Sequence, residues 1–276
     1  MNVIWLIPAL LCYAFAAAAF VLSRTGALPP RWNNYAVGLL GAGAALQAVD
    51  LIIRAVQAGN IPVTNFDQSL AFLAWLTAIV GIWLIVRLRM AVVGVFAAPL
   101  ITVVMAVAAA MTRQRRLVVP ASLRSAWLPI HVTLAFLGYA LFVLAAGVSV
   151  VYLVYESRLK AKRPLASGGE RPLSLEKLDR VNYHLLGWGF LMLSLAIVTG
   201  AIWADATWGH FWSWEPQELW SAIIWVLYAG LLESRLTVGW RGRRAAALTI
   251  VVFTVLLGSF VGLSLVNPGK HGGNFG

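Results

Sequence analysis

The sequence predicts an all-α polytopic membrane protein with about eight transmembrane helices. Of its 276 residues, 61% are hydrophobic and only 11% are charged, whereas an ordinary soluble domain has roughly a quarter of its residues charged. The apolar residues also fall into blocks of about 20, the length that a helix needs to cross the hydrocarbon layer. Because a spanning backbone must satisfy its own hydrogen bonds, these blocks predict helices.

The apolar blocks divide residues 1–276 into the spans of one integral membrane domain, with no water-soluble domain left over. With approximate ends, the spans cover residues 3–22, 35–57, 66–87, 91–111, 127–155, 181–204, 216–235 and 245–266. The first span has no basic region before it and no small-residue cleavage pattern after it, which indicates a retained helix rather than a signal peptide. Cys12 within it is the single cysteine of the chain, so thiol chemistry is expected from another protein.

The basic residues predict the orientation of the spans. The net charge of +11 includes 21 Lys and Arg residues, and such residues collect on the cytoplasmic side of a membrane protein. The connections after the first, third, fifth and seventh spans hold 15 of these 21 residues. This distribution indicates the orientation of a membrane protein rather than a nucleic-acid-binding surface. Both termini and the connection after the sixth span are then expected on the outer, periplasmic side.

Two polar connections interrupt the apolar blocks. Residues 156–180 predict a flexible cytoplasmic loop with a short helical end. The external connection from about 112 to 126 carries four arginines against the general trend: Arg113, Arg115, Arg116 and Arg124. They are typical of lipid headgroup contact, or of a site that holds an anion at the outer surface. Both interpretations stay open.

Residues 203–220, which we call the Trp segment, hold five of the 13 tryptophans, whereas even spacing would place about one there. An aromatic belt at the membrane interface does not need the carboxylates of Asp205, Glu215 and Glu218. A binding platform for a large flat apolar ligand needs both the indoles and the carboxylates, because indoles stack on the ligand and a few polar groups orient it. The tryptophans are Trp203, Trp208, Trp212, Trp214 and Trp220. A porphyrin held outside the membrane fits this description.

The local structure of the Trp segment follows from its spacing. Pro216 is suited to the first position of the next helix, which would place Glu218 in the first turn, where the helix dipole favours a carboxylate. Trp208, then Phe211 or Trp212, and then Glu215 recur at three- and four-residue spacing, which predicts a short surface helix before Pro216. Such a helix would turn His210 away from the aromatic face.

Haem needs axial ligands, and histidine is a common one. The chain has four histidines. His131 is expected at the outward start of the fifth span, and His271 just past the outward end of the eighth, so both reach the level of the Trp segment. His210 lies within the segment, and His184 lies near the cytoplasmic start of the sixth span.

These residues resemble the CcsA/ResC family of System II cytochrome c biogenesis proteins, within the wider haem-handling group defined by a "WWD" segment. The family pattern is similar to W-G-x-x-W-x-W-D-x-x-E, with Glu215 here in place of Asp. The residues that follow it are Trp208, Gly209, Trp212, Trp214, Glu215 and Glu218. Similarity extends to "PVTNFDQSLAFLAW" from Pro62, "HVTLAFLGYA" from His131, "GAIWA" around Trp203 and "GWRGRRAA" from Gly239.

The resemblance implies a haem-presenting or haem-exporting subunit of a cytochrome c synthase (haem lyase). Haem b would be its transient substrate, delivered to the outer face for attachment to Cys-x-x-Cys-His of apocytochrome c. By the same resemblance, His131 and His271 are the external iron ligands that flank the tryptophans. The implied partners are a ResB/CcsB-type membrane protein, apocytochrome c and external thiol-reducing proteins.

One position departs from the family. Glu233 stands where a histidine of an inner haem site is usual, and glutamate is a poor haem ligand. His184 is expected at a similar depth on the antiparallel neighbour, so our hypothesis is that His184 is the inner ligand and Glu233 orients it. We also expect the four external arginines to hold the haem propionates, a task that suits guanidinium groups.

Two other classes of function stay open from the sequence. One is a non-catalytic regulator of haem or tetrapyrrole metabolism, similar to the HemX-type proteins, which generally lack the full Trp segment. The other is a transporter of another hydrophobic cargo, in which the tryptophans are an interfacial anchor. Bound haem in the purified chain would distinguish the haem-presenting subunit of a synthase from the transporter.

Overall fold

The apolar blocks form eight α-helices in the described part of the chain. The structure, a computed structural model, describes residues 3–58, 63, 66–111, 125–162 and 173–266. The helices are α1 (Val3–Thr25), α2 (Trp32–Ala58), α3 (Phe66–Leu88), α4 (Ala91–Met111), α5 (Trp127–Lys160), α6 (Leu175–Trp208), α7 (Pro216–Leu236) and α8 (Arg243–Val266). All eight are long and apolar enough to cross a membrane. The prediction of an all-α polytopic membrane protein is confirmed.

Helices α5 and α6 are longer than the sequence predicts. Each has 34 residues, about 51 Å at 1.5 Å per residue, so both extend beyond a hydrocarbon layer of about 30 Å. Their charged ends stay helical with the help of ion pairs one turn apart, between Glu156 and Lys160 at 2.7 Å and between Glu176 and Arg180 at 2.6 Å. Both helices therefore continue into the connection predicted over 156–180.

The helices pack in two groups that α5 joins. Helices α1 to α4 pack against one another, α5 to α8 form the second group, and α3 and α4 contact α5. Tyr13 and Phe20 are fully buried in the first group, and Phe142 and Tyr228 in the second. The rings of Phe142 and Tyr228 stack with 3.5 Å between their centroids. This stack fixes α7 against α5 in the middle of the second group.

Helices α5 and α6 approach closely because glycines face each other. A Cβ added to Gly138 would lie 3.2 Å from the carbonyl oxygen of Gly189, and a Cβ on Gly189 would lie 2.6 Å from Phe142. Small residues at such a contact let two membrane helices pack backbone to backbone. This close packing sets the relative positions of residues near the start of α5 and the end of α6. We call this end of the helix pair the site end.

A buried polar network ties α6, α7 and α8 together at the opposite end. Arg235 is buried, and its guanidinium donates to Asp179 Oδ2 at 2.9 Å and to Asn182 Oδ1 at 3.1 Å. Asp179 Oδ1 accepts the backbone N–H of Gly242 at 2.9 Å, and Asn182 donates to the carbonyl of Ala145 on α5 at 3.0 Å. Arg235 is thus an internal cation rather than one more surface charge.

Candidate functional site

His131 lies in the first turns of α5, and the backbone of α6 orients its imidazole. Its Nδ1 is 2.7 Å from the carbonyl oxygen of Ala196. A carbonyl oxygen only accepts hydrogen bonds, so Nδ1 carries the proton and donates. In the neutral ring the lone pair is then on Nε2. This is the arrangement found in metal-ligating histidines, whose second nitrogen donates to a backbone or carboxylate oxygen.

Two further residues of α6 hold the His131 ring in place. A Cβ on Gly200 would lie 2.7 Å from both Nδ1 and Cε1 of His131, so the ring occupies space that only glycine leaves. Trp203 lies nearly parallel to the imidazole, with 6.3 Å between centroids and 14° between planes. Ala196 also accepts from Thr199 Oγ1 at 3.1 Å. The position of His131 is therefore fixed by the surface of α6.

A row of rings connects His131 to the Trp segment. Trp203 meets Trp208 edge to face at 4.9 Å, and the ring of His210 stacks on Trp208 at 6.3 Å. Trp203 is only 3% exposed, so it supports the row from within rather than offering an open face. The structure thus brings His131 together with the tryptophans, although His131 and its acceptor Ala196 are 65 positions apart in the sequence.

The predicted short helix before Pro216 is wrong. Helix α6 runs on to Trp208, and Gly209 ends it in the left-handed conformation, with φ of +78° and its N–H bonded to the carbonyl of Asp205. Residues 210–215 are not helical, because a glycine terminator and the proline start of α7 leave no room for another helix. The expectation that His210 points away from Trp208 fails with it.

The start of α7 is as predicted, with Pro216 in the first turn and Glu218 close behind it. Glu218 also shapes the loop before the helix. Its Oε2 accepts the N–H groups of Ser213 at 2.7 Å and Glu215 at 3.3 Å, and its Oε1 accepts the Ser213 hydroxyl at 3.1 Å. Glu215 is the N-cap residue of α7. Both carboxylates predicted to contact haem thus sit at the helix start.

Trp214 lies between the two backbone groups that Glu218 holds. Its φ is +60°, a conformation that costs a residue with a side chain roughly 1–2 kcal/mol. Its indole is 75% exposed and meets Trp212 edge to face at 5.9 Å. The bonds from Glu218 on either side offset this cost and project the indole outward, as expected of a strained residue at a binding site.

Two ring nitrogens of the loop are buried with no hydrogen-bond partner among the described residues. They are Nδ1 of His210 and Nε1 of Trp212. Buried polar nitrogens are nearly always paired in folded proteins. Their lack of a partner marks the inner side of the loop as a place where a ligand or another segment supplies an acceptor.

The residues of the predicted inner haem site lie on helix surfaces. His184 is exposed on α6, with its ring 5.8 Å from that of Tyr183. Glu233 is exposed in the last turns of α7, close in sequence to the buried Arg235. Their joint role stays a prediction.

Five predicted site residues lie outside the described residues: His271, Arg113, Arg115, Arg116 and Arg124. The sequence analysis also missed three contributors, namely the Ala196 carbonyl, Gly200 and Ser213. Gly200 had a detectable sign, because it precedes Trp203 by three residues and so lies on the same face of α6. The other two act through contacts that no sequence pattern marks.

Comparison with known proteins shows which family the chain is related to. Residues 63–271 match the cytochrome C assembly protein family. The cytochrome c biogenesis protein CcsA of Synechococcus elongatus (strain ATCC 33912 / PCC 7942 / FACHB-805) is 33% identical, over 96% of this chain and 93% of that protein. The CcsA of Synechococcus sp. (strain JA-2-3B'a(2-13)) is 30% identical over 94% and 91%. The CcsA of Chlorella vulgaris is 32% identical over 86% of each.

A solved structure shares the fold. The cytochrome c haem lyase CcmF superposes with a TM-score of 0.62 at 15% sequence identity, over 93% of this chain and 45% of the CcmF chain. The helix arrangement is therefore common to both, within a longer protein in the case of CcmF. Taken with the extent of the sequence matches, the chain belongs to the CcsA family of cytochrome c assembly proteins.

Proposed function

We propose that this chain presents haem at the outer face of a membrane, as the haem-handling subunit of a cytochrome c synthase. Family membership gives it a part in cytochrome c biogenesis. The observation that carries the finer proposal is the imidazole of His131, whose Nδ1–H is bonded to Ala196 and whose ring packs on Trp203. A histidine held in this way has the tautomer and the fixed orientation that haem ligation uses.

The proposed site divides the work of binding between two kinds of group. His131 ligates the iron through Nε2, and His271 supplies the second axial ligand. Trp208, Trp212 and Trp214 contact the porphyrin, which is the large apolar part of the ligand. Haem b is a substrate here, held until it is transferred. Two histidines on the iron also leave no open coordination position for oxygen.

Transfer to apocytochrome c follows from ligand exchange. The histidine of the Cys-x-x-Cys-His segment displaces one of the two histidines of this chain, which brings the two cysteine thiols to the vinyl groups. Each thiol adds across one vinyl double bond, forming a carbon–sulfur bond while its proton passes to the other vinyl carbon. Nothing leaves and no electrons are exchanged, but both thiols must be reduced, which external thiol-reducing proteins would ensure.

The proposed location is the bacterial cytoplasmic membrane, with the Trp segment on the outer side. The support is that 15 of the 21 basic residues fall in the connections at the opposite side. A ResB/CcsB-type membrane protein is the proposed partner. Haem arriving from the inner side would meet His184, oriented by Glu233, before reaching the outer site.

Reconstitution tests the proposal directly. The purified chain, with and without a ResB-type partner, is supplied with haem and a reporter that contains Cys-x-x-Cys-His, and covalent haem on the reporter is measured. We expect transfer with the partner present and a bis-histidine absorption spectrum in the chain. His131→Ala should lose both, whereas Ile130→Ala, at an exposed neighbouring position, should keep them. A chain that binds no haem in any preparation would instead favour transport of another cargo.

A further inference from the structure

The two unpartnered nitrogens of the Trp segment constrain what binds there. Nε1 of Trp212 and Nδ1 of His210 are buried without a partner among the described residues. An unmade hydrogen bond at a buried group costs more than a made one gains. Two such groups, separated by one residue in a seven-residue loop, are therefore expected to share one function.

The chemistry of the nitrogens defines the missing group. An indole N–H can only donate, so the partner of Trp212 is an acceptor, and the imidazole of His210 can take the tautomer in which Nδ1 also donates. The nearby carboxylate of Glu218 already accepts from Ser213 and Glu215. The acceptor that suits two donors at once is a carboxylate, which has two oxygens and several lone pairs.

We propose that Trp212 Nε1–H and His210 Nδ1–H together bind a carboxylate of the ligand, one propionate of haem. This inference rests on the proposed function and adds the group that orients the porphyrin. The row of rings from His131 through Trp203 and Trp208 ends at His210, so successive ring contacts join the proposed iron ligand to the carboxylate site.

The assignment has a consequence for transfer. The propionates of haem lie on the edge of the porphyrin opposite its vinyl groups. A propionate bound by the loop would therefore direct the vinyl edge away from Trp212 and His210, to the side where the thiols of apocytochrome c can reach it. The pair thus positions the reacting edge of the porphyrin, and it leaves the second propionate to other groups.

The test compares haem with its dimethyl ester, in which both propionates are masked. The full chain and the variants Trp212→Phe and Trp214→Phe are titrated with each ligand, and binding is followed by absorption. We expect Trp212→Phe to weaken haem binding about tenfold, the effect of losing one hydrogen bond to a charged group, with much less effect on the ester. Trp214 is 75% exposed, so Trp214→Phe should weaken both ligands by the same factor.

An isosteric variant separates the N–H group from the ring. Replacing Trp212 by 3-benzothienylalanine exchanges the N–H for sulfur at almost constant shape, and His210→Phe removes the second donor. Both should reproduce the selective loss for haem, and the benzothienyl variant should melt at the same temperature as the unaltered chain, or above it, when ligand-free, because it removes an unpaired buried donor. A lower melting temperature would mean that the N–H is bonded within the protein, and equal losses for haem and ester would mean contact through the ring alone. Either result overturns the inference.

The same titrations keep the two proposals distinct. If the unaltered chain binds haem and the ester equally well and no variant separates them, the carboxylate site is wrong while haem presentation stands. If the unaltered chain binds neither ligand, the proposed function fails, and the carboxylate site fails with it.

Discussion

Glu218 accepts the backbone N–H groups on both sides of Trp214 and holds that residue in a left-handed conformation with its indole exposed. The carboxylate thereby acts on the proposed haem surface without needing to touch haem. This gives a physical reason for a glutamate four residues after a tryptophan in the segment. The helix start and the exposed ring are one structural unit.

Stability should distinguish strain from packing at Trp214. Trp214→Gly removes a side chain from a residue with φ of +60°, so we expect the free energy of unfolding to stay level or to rise by about 1 kcal/mol. Haem binding should fall, since the indole is lost. Trp220→Gly, within α7, should lower stability by about 1 kcal/mol or more. Thermal melts in detergent give both values, and equal destabilisation by the two variants would contradict the strain argument.

Gly200 should be required for the orientation of His131. In Gly200→Ala the new Cβ would lie 2.7 Å from the imidazole, so the ring must move and its hydrogen bond to Ala196 must lengthen or break. We expect haem occupancy to fall at least tenfold, with an altered spectrum, because ligand misplacement is costly. Gly187→Ala is the matched control on the same helix, where a Cβ meets nothing within 4 Å. Normal occupancy in Gly200→Ala would contradict the proposed role.

The network around Arg235 should contribute to stability rather than to haem binding at the outer site. Arg235→Leu leaves the partly buried carboxylate of Asp179 without its cation and the buried Asn182 without its donor, which we expect to cost about 3 kcal/mol. Arg241→Leu, at an exposed position, should change stability by less than about 0.5 kcal/mol. Denaturation of the purified proteins measures both. Similar values for the two variants would show that the ion pair contributes little.

His184 tests the inner haem site. If it is a ligand, His184→Ala should purify with less haem and with a changed spectrum, while His131→Ala removes the outer signal alone. Glu233→Gln should give a smaller change in the same direction, because it would only reorient the imidazole. Unchanged haem content and spectrum in His184→Ala would end this hypothesis.

Variants of the external arginines test whether these residues bind the second propionate of haem. Replacing all four by glutamine removes the positive charge of the connection and should weaken haem retention, but not retention of the dimethyl ester. The four are Arg113, Arg115, Arg116 and Arg124. Unchanged haem retention would indicate that these arginines contact lipid headgroups instead. Measuring retention during washing at two ionic strengths separates the charge effect from misfolding.

The helices and the start of α7 could be predicted because their causes are local. Span-length apolar runs specify the eight helices, and Pro216 with Glu218 specifies the first turn of α7. The helix that the spacing of Trp208, Trp212 and Glu215 predicts before Pro216 does not form, because Gly209 ends α6 in the left-handed conformation. A glycine terminator thus outweighs helical spacing in the residues that follow it.

The geometry of the site could not be predicted, because its causes are distant in sequence. The bond from His131 to Ala196 depends on how α5 packs on α6, which the contact between Gly138 and Gly189 sets. The burial of Arg235 could not be predicted either, because a count of basic residues on each side of the membrane does not distinguish a buried arginine from an exposed one. Periodicity identifies a helix face but not the helix that the face will meet.

The carbonyl of Ala196 lies inside α6, where it also accepts the backbone N–H one turn further along the helix, so a chain that loses the imidazole of His131 leaves no bare backbone oxygen behind. Such a chain should fold, insert and still meet its partner. In a cell that carries both forms, we expect the defective copies to occupy the partner and to reduce holocytochrome production below the level set by the intact copies. Loss of His131 would then be dominant, whereas loss of Arg235, which lowers the stability of the chain and so the number of folded copies that compete for the partner, would interfere less with the intact copies.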